Sequence, residues 1–237
     1  MQRKLFIDVG GHNGGTVEIA LGRDFAFDEV HTFEPDPECV QVMQRSFATE
    51  IEAGRLTLHP AALGGEDGEA TLFGDNSGGG ASIVTGMLHD ERRAIRVKKI
   101  DVARFLDESV ADGDAVFIKL NCEGGEVEIL DRLHQSARID AVKSIMADFD
   151  IVKSSGGYVH KRRILRLYHA KNLPLHVSEA VMVGRTHAER IRNWLAYSPE
   201  AWRSPPAAPR RQLLKRRLRY WLKDLRSALH GRKRGYR

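Results

Sequence analysis

The stretch DAVFIKLNCEGGE, residues 114–126, decides how this chain is read. Its first part, 114–120, is a nearly unbroken apolar run, the pattern of a strand buried on both faces. A helical pattern, VEILDRLHQSA, follows at once. Between the two, Lys119, Asn121, Cys122, Glu123, Gly124, Gly125 and Glu126 crowd the corner where strand turns into helix. Polar side chains and glycines at the carboxyl end of a buried strand are what an α/β sheet uses to hold a ligand.

Upstream, the same alternation recurs. KLFIDV (4–9) reads as a strand, with a helix start in GGTVEIALGRD. EVHTFEP (29–35) is a second strand, PECVQVMQRSFATEIEAG (37–54) a second helix closed by Gly54, and RLTLHPAAL (55–63) a third strand. A short extra strand is expected over 70–74, a glycine-rich loop over 76–82, and a strand then a short helix over 95–106. Downstream come a strand over 142–149, a helix over 158–172 and a closing hairpin over 173–184. This order predicts a doubly wound, mainly parallel α/β sheet. SPPAAP (204–209) reads as a stiff linker, dividing a domain over 1–203 from a tail over 210–237.

With 237 residues and 42% hydrophobic content the chain supports one sizeable core. It has no apolar run long enough to span a bilayer and no secretory-type apolar segment at its start, so a cytoplasmic location is expected. Two cysteines, Cys39 and Cys122, suit a reducing compartment, and no ligand spacing demands a metal. The net charge of +5 is uneven: 210–237 carries twelve Lys/Arg against Asp224, a net +11, leaving −6 on 1–209.

The loop DVGGHNGG (8–15) lets backbone approach a ligand closely, and Glu34 at the tip of the next strand can accept both hydroxyls of a ribose. The glycine spacing is not that of a dinucleotide loop. Asp8 repels a pyrophosphate but suits the ammonium and sulfonium of S-adenosylmethionine, which is the cofactor expected.

Four stretches in order, FIDVGGHNGG, VHTFEPDP, HPAALGGEDGEATLF and FIKLNCEGGEVEIL, resemble the FkbM-type S-adenosylmethionine-dependent methyltransferases. The last is similar to that family's Lys-hydrophobic-Asp-hydrophobic-Glu-Gly-x-Glu signature. The resemblance implies a class I methyltransferase fold, a mainly parallel seven-stranded sheet whose last strand is antiparallel, and O-methylation of a sugar, glycan or glycolipid, or another hydroxylated small molecule. It implies that Asp8, Gly10, Asn13 and Gly14 line the methionine end of the cofactor, Glu34 and Pro35 the ribose, and Ala61, Ala62 and Leu63 the adenine. Lys119, Asn121 and Glu123 would face the transferred methyl.

Asn121 stands where the signature has Asp, so the proton acceptor is sought among Glu123, Asp148, Asp150 and His160; a surface role is the simpler reading of His160. Glu126 reads most simply as a first-turn residue favoured by the helix dipole. The chain starts a few residues before its first strand, so acceptor recognition is expected from loops such as 76–94 and 150–160, or from a partner.

In the tail, Leu214, Leu218, Trp221, Leu222, Leu225 and Leu229 share one helical face and Lys/Arg the other, the pattern of a helix lying at an anionic membrane surface. Docking on the domain or a second copy, and phosphate contacts to nucleic acid, are the other readings of that helix. The alternatives to sugar O-methylation are an RNA methyltransferase using the basic tail and a non-catalytic adaptor with a decayed site.

Overall fold

The computed structural model describes residues 2–74, 81–85 and 93–204, with Leu214, Lys215, Leu218, Arg219 and Leu222 beyond them. The glycine-rich stretch up to residue 80, the segment 86–92, the linker past Ser204 and most of the tail lie outside the described residues.

Strand β1 (Lys4–Val9) leads through α1 (Gly15–Ala20) to β2 (Glu29–Phe33). The single helix expected over 37–54 is two, α2 (Pro37–Ser46) and α3 (Ala48–Glu52). They break at Phe47, whose φ of −121° and ψ of 25° lie off the helical values, and whose ring packs toward Gly14. The third strand is also split. β3 (Leu56–His59) pairs with β2, while β4 (Ala62–Gly64) joins a second sheet; Pro60 between them has no N–H to continue a ladder.

That second sheet, in the order β4-β7-β5-β6, adds β5 (Gly68–Gly74), β6 (Ala81–Ser82) and β7 (Arg93–Asp101). The expected loop over 76–82 therefore ends in a strand, with Ser82 paired to Phe73. Asp101 caps α4 (Val102–Ser109) by accepting from the N–H groups of Ala103 and Arg104. β8 (Ala115–Leu120) is buried at all six positions, as its apolar run requires. Then follow α5 (Glu126–Leu133), β9 (Val142–Ala147), α6 (Gly157–Ala170) and β10 (Leu175–Val177).

The hairpin expected over 173–184 does not form. The α6 crossover returns β10 parallel to β9, and the chain coils directly into α7 (Ser178–Val181), burying Ala180 and Val181, before α8 (His187–Leu195). Among the described residues the main sheet has six strands, all parallel, in the order β10-β9-β8-β1-β2-β3, without the antiparallel seventh strand. The fold is Rossmann-like. Successive strands step outward in opposite directions from β1 and β8, which opens a crevice at their carboxyl ends.

Register assigns the faces. Ile7 and Val9 of β1 align with His31 and Phe33 of β2, and Phe105 of α4 packs edge-on against both His31 and Phe33. Phe6 and Asp8 point the other way, toward α8, where the Phe6 and Trp194 rings lie 6.0 Å apart. Trp194 is fully buried and donates its indole N–H to Ser144 Oγ at 2.9 Å. The chain then closes on the opening of β2: Trp202 packs on Phe25 at 4.6 Å, and the Arg203 guanidinium donates to the Phe25 carbonyl.

Candidate active site

Three strand ends meet at the crevice. The Gly10 N–H donates to the Phe33 carbonyl at 3.0 Å, and the Asn121 N–H to the Val9 carbonyl at 3.0 Å. Gly10 has a φ of 80°, and a Cβ there would stand 1.9 Å from the Asn121 carbonyl oxygen, so only glycine permits this contact. Above the junction lies a cavity of about 500 Å³. Gly10, Asn13, Glu34, Pro35, Ala62 and Leu63 line it, as do Asn121 and Glu123.

Glu34 dominates one wall. It is buried, its Oε2 accepts from the His12 N–H at 2.7 Å, and its Oε1 accepts from the Asp36 N–H at 2.9 Å. His12 adopts a φ of 48°, in the left-handed region, to aim that N–H. Burial raises the Glu34 carboxyl above its ordinary value, opposed by the two N–H donors. Each oxygen keeps a lone pair for a ligand hydroxyl. Beside it, Phe33, Leu63, Leu72 and Val42 supply an apolar slot.

The opposite wall is the β8–α5 corner. Glu123 is left-handed at φ 47° and Gly124 follows at φ 105°, which turns the Glu123 carboxylate out of the strand direction. Lys153 lies 2.9 Å from both Glu123 Oε2 and Asp150 Oδ1, bridging the corner to the turn after β9. Burial opposes the Lys153 charge, but its two carboxylate partners outweigh that and push it up to about 12. Asp150 is raised by burial, and the neighbouring Glu123 carboxylate adds to this against the pull of Lys153. The corner therefore holds two adjacent carboxylates and one shared cation, a group able to accept a proton at the cavity edge.

Seven predicted residues do not line the cavity. Asp8 and Lys119 are register partners in β1 and β8, so both project onto the α8 face, and neither lines the cavity. The Lys119 ammonium lies 2.8 Å from Asp8 Oδ1 and donates to the Gly10 carbonyl at 3.0 Å. Asp8 is fully buried; burial raises its carboxyl while Lys119 pulls the other way. Its ion pair with Lys119 lies behind Gly10, on the far side of the strand ends from the cavity. Gly14, at φ 83°, sits against the Phe47 ring, where a Cβ would come within 2.3 Å. Ala61 is buried in the turn that follows β3. Asp148 accepts from Ser178 Oγ at 2.9 Å, away from the cavity, and Asp150 reaches the site through Glu123 and Lys153. His160 is exposed, on a separate groove with Arg163.

Sequence reasoning pointed to the loop 76–94 for acceptor recognition but named none of the residues that roof the cavity. Leu72 and Ala81 of the second sheet, with Ile83 just past β6, close the cavity, and Ser82 Oγ donates to the Glu123 carbonyl at 2.6 Å. Nothing in a Gly/Ser-rich stretch marks such a contact in advance; it is set by the pairing of β6 with β5. Cys39 and Cys122 also line the cavity, and burial pushes the Cys122 thiol well above its ordinary range, away from nucleophilic use. Among the described residues, no group of three or more His, Cys, Asp or Glu is placed to hold a metal ion.

Residues 8–156 match the family model described as the methyltransferase FkbM domain. No curated protein matches. Among solved structures, the chain is similar to a methyltransferase FkbM from Methylobacillus flagellatus KT, at 18% sequence identity and a TM-score of 0.46. That similarity covers 70% of this chain and spans 37% of the other.

Proposed function

The chain belongs to the FkbM methyltransferase family, and from that premise we propose that it uses S-adenosylmethionine to methylate a hydroxyl of a sugar, glycan or related polyhydroxylated metabolite. The observation that carries the reading is Glu34, a buried carboxylate whose two oxygens are fixed by backbone donors in the wall of a half-apolar cavity. The residues present fit the cofactor: Glu34 for the ribose hydroxyls, Phe33, Leu63 and Leu72 for the adenine, Gly10 and Asn13 for the methionine end.

When bound, the cofactor supplies an electrophilic methyl carbon on a sulfonium. The chain's own part is to place an acceptor hydroxyl and take its proton. The exposed Asn121 amide orients the hydroxyl by hydrogen bonding, and Glu123, backed by Asp150 and Lys153, receives the proton. Asn121 cannot act as a base, but with Glu123 two residues on it does not have to.

Isothermal titration with S-adenosylmethionine tests the cofactor reading. Glu34→Ala is expected to weaken binding roughly 10- to 100-fold, the worth of one or two charge-assisted hydrogen bonds. Absence of binding by the wild-type chain, or equal binding by Glu34→Ala, overturns it.

The proposal extends to a peripheral position at the inner face of a membrane, held by 210–237. Leu214, Leu218 and Leu222 are helical, four apart and exposed, which supports an apolar stripe. No helix of the described residues is long and apolar enough to cross a membrane.

A further inference from the structure

Glu126 opens α5, three residues past the proposed proton acceptor, and its side chain is 0% exposed. A first-turn residue serving only the helix dipole stays in solvent; this one has turned inward. Its Oε1 accepts the backbone N–H of Asp150 at 2.5 Å, across from one strand end to the next. Its Oε2 is buried with no hydrogen-bond partner among the described residues. The same Asp150 is bound through its side chain to Lys153, and through Lys153 to Glu123. A single buried carboxyl thus grips the backbone of the residue whose side chain stands beside Glu123.

We propose that Glu126 is a positioning residue that holds Asp150 against Glu123, and that the charge on the Glu126 carboxyl sets how tightly that pair is held when it takes up the proton released by methyl transfer. This rests on the reading of Glu123 and Asp150 as the proton-accepting pair. Ionised, Glu126 draws the Asp150 N–H into a short charge-assisted bond, at the expense of a buried charge with one bare oxygen. Protonated, it accepts more weakly and Asp150 is freed to shift.

Its surroundings balance the two forms. Burial, with the nearby carboxylates of Asp150 and Asp148 adding to it, pushes Glu126 up to about 7, against the pull of its own N–H and that of Asp150. Cys122 faces it from the preceding turn and Lys153 lies on the far side of Asp150. Neither cancels the acidic neighbours.

The test is a titration of the full chain by two-dimensional amide NMR from pH 5 to 9, following Asp150. The Asp150 amide proton is expected to move downfield with a midpoint near pH 7, as its acceptor gains charge. Glu126→Gln, which keeps an acceptor oxygen but cannot ionise, should abolish that movement, and Glu126→Asp should retain a titration with a displaced midpoint. An Asp150 amide that is flat in the wild type, or that titrates unchanged in Glu126→Gln, overturns the proposal. Calorimetry with S-adenosylmethionine on the same samples separates the two claims: loss of cofactor binding by the wild type removes the functional reading, whereas a silent Asp150 amide in a chain that binds removes the role of Glu126.

Discussion

Replacing Lys119 by Met leaves the Asp8 carboxylate fully buried without its counter-ion. Breaking such a pair from one side costs about 3–5 kcal/mol, so Lys119→Met should melt far below the wild type. Asp8→Asn in the same chain should recover most of the loss, because the uncompensated charge then disappears. The sign with pH follows: burial already raises Asp8, and without Lys119 its neutral form is favoured further, so the Lys119→Met defect should shrink as pH falls. Thermal denaturation of the two variants between pH 5 and 8 checks this. The sequence reading set Lys119 at the strand–helix corner, facing the transferred methyl, with nothing local to show which way its side chain points. That is decided by register, since Lys119 sits opposite Asp8 and shares its face. Glu126 is the reverse case. Its position at a helix start suggested solvent, and its burial comes from the turn after β9, a contact 24 residues away in sequence.

Between β2 and β3, His31 and His59 lie ring against ring, with His31 Nδ1 and His59 Nε2 3.1 Å apart and His59 stacked on Phe33 at 4.3 Å. Burial lowers both to about 4, with Arg3 assisting at His31; at His59, His31 also lowers while Glu29 raises. Both are therefore neutral in the fold, whereas the unfolded chain protonates near 6.5. Stability from this pair is present above about pH 6.5 and is lost as pH falls toward 4, by roughly 2–3 kcal/mol in total for so coupled a pair. Urea midpoints measured across that window should fall for the wild type and fall less for His59→Phe. The consequence reaches the site, because the His59 carbonyl accepts the Glu34 N–H at 3.1 Å. At this scale the legible elements were those that one local pattern dictates: β8 from its apolar run, α5 from its spacing, the crevice from strand–helix alternation. Elements that depend on distant partners were not legible. Pro60 divides one apparent strand between two sheets, Phe47 breaks one apparent helix, and Ser82 earns its place only through β5 and Glu123.

The whole molecule is electrically divided, with −6 on residues 1–209 and +11 on 210–237. Proposed as a membrane contact, the tail should carry the full chain onto vesicles containing anionic phosphatidylserine and leave it unbound to neutral phosphatidylcholine. Raising salt from about 0.05 to 0.5 M should release it, as screening removes the headgroup attraction. Deleting 210–237 should abolish sedimentation with vesicles; retention by the truncated domain, or equal binding to neutral lipid, would count against the tail. The packing of Trp202 on Phe25 adds a constraint of orientation. Phe25 lies at the end of the sheet where β2 begins, and the cavity opens at the end where β1 and β8 stop. If 210–237 holds the chain to a membrane as proposed, a tether leaving the described fold at the Phe25 pole would turn the cavity mouth toward the water. On that proposal the acceptor would be met as a dissolved molecule, or as the far tip of a long glycan, more readily than as a sugar lying among the headgroups.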